Sequence, residues 1–234
     1  DTLVGIFGVG MHPTGSKDPF ALRRASLSIL RILIEKAHFL DLRELVNFSI
    51  EGFSEKLLDS GTSIAVLTYI LDRLPTYYGE NNISVDIFRS VSALEIYCPF
   101  DIDLRVTAVA HFSTLPMSES LAVANKRVKN ILSKVDESDF LMEINEDLFS
   151  TEFEVRLAAD LRLVKEACLD LILKKDYGAA LEQLSMLDAP LADFFENVMV
   201  NSEDPTLRAN RISLLKSVHE QFLKVADISQ LAGK

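Results

Sequence analysis

With 234 residues the chain can build one large domain or two modest ones, each with its own core. Hydrophobic residues make up 48% of it, yet the best apolar run, Ser63 to Leu71, is broken by Asp72, Arg73 and Pro75, well short of the roughly 20 residues of a membrane span. No basic segment leads into an apolar stretch and cleavage site, and Cys98 and Cys168 suggest neither a disulfide framework nor a metal site, so a cytoplasmic chain with reduced thiols is expected. The net charge of −11 excludes a uniformly basic nucleic-acid binder, but residues 1–135 carry 14 Lys/Arg against 15 Asp/Glu, and residues 136–234 carry 10 against 20.

The chain opens at Asp1, without Met, inside an apolar stretch running to Val9, and reads as a piece of a longer protein. Helical periodicity dominates from there. Asp18 and Pro19 make a helix start, as N-cap and first helical residue, for an apolar face running from Ala21 to about Ala37. A second helix fits 41–58, and a third starts near Thr62 and is kinked or ended by Pro75. Others fit about 84–96, 101–114 and 117–135.

The stretch Asp136 to Asp147 holds six acids in twelve residues and is the best boundary. Beyond it helices fit 151–174, 178–188, 190–199 and 205–226, the last again opened by an Asp-Pro pair, Asp204 and Pro205. Sustained β alternation is absent, so the expected class is all-α in two parts.

Catalytic chemistry is not legible. Gly10 to Lys17 imitates a phosphate-binding loop, but Ser16 and Lys17 are transposed relative to the required Lys-Ser/Thr order, and Asp18 puts a carboxylate where a phosphate would need free N–H groups. His12, His38, His111 and His219 are scattered, with no zinc spacing. The serines lack the glycines of a nucleophile elbow.

Three ordered segments carry a resemblance. Asp1 to Gly8 with Pro13 to Arg24 is the first, Ala124 to Leu132 the second, and Asp193 to Val200 with Leu207 to Leu215 and Val225 to Ser229 the third. Together they resemble the β subunit of the bacterial two-subunit glycyl-tRNA synthetase, and the last is similar to its DALR-type anticodon-binding module. The resemblance implies the tail end of an HD-like domain at 1–17, its histidines lying upstream, then a helical body at 18–140 and a DALR-like anticodon-binding bundle at 145–234. It further implies tRNA-Gly, the α subunit and the remaining β-subunit domains as partners. No cofactor is expected in this piece, since ATP and magnesium would serve the whole enzyme at the α subunit's catalytic core. The rival reading is a helical subunit-interaction scaffold with little direct RNA contact.

RNA affinity rests on Lys and Arg set against phosphates. Arg208 and Arg211, three apart on the last long helix, share a face, with Lys216 further round; they suit phosphates or ordinary ion pairs with Glu203 or Glu220. Lys126, Arg127 and Lys129 form the densest basic cluster with Lys134, either for an RNA stem or as a solvated face backed by Leu121, Ala124, Val128, Ile131 and Leu132. Arg24 reads as a buried ion-pair partner. Phe194, Phe195 and Phe222 are of the type that stacks on bases, but their apolar neighbours place them in the core.

Overall fold

The computed structural model describes residues 1–13, 17–53, 61–136, 140–141 and 143–233. Among the described residues there are twelve α-helices and no strand: α1 (Thr2–Gly8), α2 (Leu22–Glu35), α3 (Leu42–Glu51), α4 (Thr62–Leu71), α5 (Leu74–Glu80), α6 (Val85–Ser92), α7 (Pro99–Phe112), α8 (Ser118–Leu132), α9 (Glu152–Leu173), α10 (Tyr177–Leu184), α11 (Asp188–Asn197) and α12 (Pro205–Leu223). The chain is all-α, as the periodicity predicts. Positions 14–16 of the imitation phosphate loop and 54–58 of the second expected helix lie outside the described residues.

Two compact units divide the chain, one of residues 1–88 and 95–103, the other of 89–94 and 104–234. The acidic stretch at 136–147 therefore falls within the second unit, and so does α8, which the sequence assigns to the body.

In the first unit α1, α2 and α3 all pack on α4. Leu3, Val4 and Phe7 of α1 and Val66, Leu67 and Ile70 of α4 are buried, Phe7 meeting the Tyr69 ring edge-on at 5.2 Å, and Leu22, Leu30 and Leu33 supply the α2 face. The start of α2 differs from expectation. Pro19 and Phe20 form a turn, Ala21 is left-handed at φ 54°, and the helix begins at Leu22. Asp18 still caps it, reaching past the turn to accept from the N–H groups of Leu22 (2.8 Å) and Arg23 (3.0 Å). The helix from Thr62 ends at Leu71, whose carbonyl would lack a donor at Pro75, and Pro75 itself sits in the first turn of the separate α5, where a missing N–H costs nothing. Gly5 lies at a close approach, where a Cβ would come within 3.1 Å of the Phe53 ring and the ring would have to shift by a few tenths of an ångström. Arg24 is exposed, so it is not the buried ion-pair partner expected of it.

In the second unit α9 packs against α10 and α11, and α8 against α12 and a terminal 3-10 turn, Ile228–Leu231. From Asn210 to Leu215 every residue of α12 is buried, so this helix is sheathed on all sides. Its start follows the predicted device, with Asp204 accepting from Thr206 N–H at 2.8 Å and Pro205 at the first position. Arg105 closes its far end, donating to the Lys224 and Val225 carbonyls at 2.7 and 2.9 Å while stacking 4.1 Å over the Tyr177 ring. The acidic stretch holds only the 3-10 turn Glu146–Leu148 among its described residues.

Candidate nucleic-acid interface

Helix α8 has two working faces. Leu121, Ala122, Asn125 and Val128 are buried in the second unit. The other face, at 123, 126, 127, 130 and 131 and continuing past the helix end to 134 and 135, lines an open groove of about 710 Å³. That spacing of three and four is one stripe of a helix. The opposite wall comes from Asn201 and from Arg208 and Ile212 of α12. Its lining includes the apolar Val123, Ile131, Val135 and Ile212, while Lys126, Arg127, Lys134 and Arg208 supply four cations. No carboxylate lines it among the described residues.

Three of the six expected RNA-facing residues converge here: Lys126, Arg127 and Arg208. Arg208 is exposed, and its side chain has no hydrogen-bond or ion-pair partner among the described residues. Arg127 is exposed and stacks 4.1 Å over the ring of Phe195. Lys126 is held in place as its Nζ donates to the carbonyls of Ala232 and Gly233, each at 3.2 Å, rather than to a carboxylate.

The other three are turned to other work. Lys129 pairs at 2.7 Å with Asp227, whose carboxylate also accepts from Ser229 and Gln230 and caps the terminal 3-10 turn. Burial would raise the Asp227 pKa, but these donors, Lys129 foremost, hold it below the usual value. Lys216 is half-buried with its ammonium 4.4 Å over the Phe140 ring.

Arg211 corrects the sequence reading most plainly. It is buried, with Nε donating to Glu154 at 2.8 Å, one terminal nitrogen to the Met199 carbonyl at 2.9 Å and the other to Ser150 Oγ at 2.7 Å. Each guanidinium nitrogen donates within the protein and the side chain is buried, so it is not presented to a phosphate. Glu154 also completes a capping box with Thr151 at the start of α9. Burial alone would raise its pKa, but Arg211, Thr151 and the Ser150 N–H outweigh that and lower it.

Among the three phenylalanines, Phe194 and Phe222 are fully buried, as predicted. Phe195 is only half-buried, and its ring carries Arg127. The sequence reading places Lys134 in the basic cluster but not among the expected RNA-facing residues, and it names neither Asn130 nor Asn201 as a groove residue. The stripe from Val123 to Val135 was the available signal for the first two; nothing local places Asn201 beside them. Among the described residues no group of three or more His, Cys, Asp or Glu is arranged to hold a metal ion, and no helix is long and apolar enough to cross a membrane.

Residues 1–93 match the family model of the glycyl-tRNA synthetase β subunit, and residues 121–230 match that of the DALR anticodon-binding domain. The second match begins in α8, so it contains both walls of the groove. The chain is similar to the glycine–tRNA ligase β subunits of Haemophilus influenzae strain PittEE (46% identical over 231 residues, 99% of this chain and 33% of the relative) and Ectopseudomonas mendocina strain ymp (46%, 99% and 34%). That of Colwellia psychrerythraea is 44% identical over 99% of this chain and 33% of the relative. The chain thus spans about a third of the length of the curated relatives it matches. These two matches, together with close identity along nearly all of its residues, show that the chain belongs to the glycyl-tRNA synthetase β-subunit family and carries a DALR anticodon-binding domain.

Proposed function

We propose that the chain is a tRNA-recognition portion of the β subunit of a glycine–tRNA ligase, acting in the cytoplasm. It binds tRNA-Gly, while the α subunit, using ATP and magnesium, carries out the aminoacylation. The observation that carries this reading is the groove: four cations with no described carboxylate among them, in a chain whose net charge is −11. Such a concentration against the overall field suits a polyanion, with the sugar-phosphate backbone lying along α8. The chain's part is orientation, holding the tRNA so that its acceptor end reaches the partner's active site.

The test uses the enzyme reconstituted from full-length β subunit and α subunit. Arg208→Glu should leave glycine-dependent ATP–pyrophosphate exchange unchanged and raise the KM for tRNA-Gly about ten-fold. Normal charging kinetics in that variant would contradict the proposal.

The scaffold reading has one observation in its favour. Leu169 and Leu173, one turn apart on α9, are 60% and 73% exposed, apolar area available for another protein surface to bury. Both roles fit one chain, since this face is remote in sequence from the groove stripe.

A further inference from the structure

A second, shallower depression of about 500 Å³ adjoins the groove and shares Val123 and Arg127 with it. Pro116, Ala124 and Phe195 give it apolar walls, and Glu119 places a carboxylate in it. We infer that this depression, built on the Arg127–Phe195 stack, is a seat for one unstacked RNA base, while the flanking phosphates lie in the groove. This inference rests on the RNA reading above and adds which part of the RNA is taken and by which residues.

The argument begins with the stack itself. The Arg127 guanidinium lies 4.1 Å from the Phe195 ring centre, and Phe195 in turn packs edge-on against the fully buried Phe194, with centroids 5.9 Å apart. A flexible side chain is thereby held against an aromatic ring at the junction of the two depressions before any ligand arrives, which removes part of the ordering cost of binding. Flat guanidinium and aromatic faces are the surfaces on which splayed-out bases stack, and this stacking tolerates any base because each has a π face.

Charge then sorts the two depressions. The groove is lined by cations, and the Glu119 carboxylate makes the depression unfavourable for a phosphate. A neutral, flat group on a charged backbone satisfies both at once. A duplex cannot, because its bases are stacked on one another and its phosphates alone are presented. The ligand class is therefore a single-stranded or loop nucleotide.

The experiment mixes this chain with hairpin RNAs carrying 2-aminopurine at successive loop positions, and reads fluorescence and affinity at several salt concentrations. Quenching at one loop position is expected on binding. Phe195→Leu, which keeps the packing but removes the ring, should relieve that quenching and weaken binding about ten-fold, the weight of roughly one stacked base. Arg127→Lys, which keeps the charge but removes the plane, should do the same without changing the salt dependence. Salt-dependent binding in which both variants keep wild-type affinity and quenching would overturn the base seat and leave the groove reading intact. No binding by the wild-type chain would overturn both.

Discussion

The Arg211 guanidinium donates to Glu154, to Ser150 and to the Met199 carbonyl from the interior of the second unit. Removing one member of a buried pair strands the other charge, which costs about 3–5 kcal/mol. Arg211→Met should therefore lower unfolding stability by about that amount at pH 7, measured by urea denaturation, whereas Arg208→Gln, at an exposed site, should change it by less than about 0.5 kcal/mol. The pH dependence has a definite sign. Glu154 is held below the usual glutamate value, so its contribution is fully present above about 4.3, the unfolded value, and is lost as pH falls through the lower folded value. The gap between wild type and Arg211→Met should accordingly narrow between pH 5 and pH 3. A gap independent of pH would mean that the pair is not the source of the loss. In the sequence Arg208 and Arg211 look alike, since both sit on one helix at a spacing that shares a face. Only the sheathing of α12 from Asn210 onward separates them, and that depends on where α8, α9 and α10 pack.

At the scale of elements, helix positions were legible because period and caps agree. Asp204 with Pro205 starts α12 where the sequence places it, and the Thr151–Glu154 box starts α9. Asp18 shows the limit: its carboxylate caps α2, but from four and five residues away across a turn through a left-handed Ala21, a conformation that an Ala gives no sign of adopting. The division of α8 was half legible. Its apolar positions predict a buried side, which Leu121 and Val128 form, yet Ile131 and the stripe at Val123, Lys126, Arg127 and Asn130 face a groove whose other wall lies some 80 positions further on in α12. A cap and a charge can be separated here. Asp204→Ala should cost about 1 kcal/mol of stability. The same change removes an acid one turn from Arg208, so RNA affinity at low salt should rise. A parallel fall in stability and affinity would instead show that the cap is needed to hold Arg208 in place.

For the whole molecule, the charge distribution matters more than its sum. The last 99 residues carry 20 acids against 10 bases, yet Arg208 from that acidic part joins Lys126, Arg127 and Lys134 from the balanced part to make one cationic groove. The sequence shows the two populations of charge and cannot show that folding brings the basic ones together across the 136–147 stretch. Placing that groove against RNA phosphates is the central claim, and salt dependence tests it most directly. The measurement is the affinity of this chain for tRNA-Gly as a function of salt, for the wild type and for the Lys134→Gln, Arg208→Gln double variant. The account predicts a linear fall of log affinity with log salt, shallower in the double variant by about 0.7 for each phosphate it no longer neutralises. Identical slopes in the two proteins, or no affinity at low salt, would contradict it.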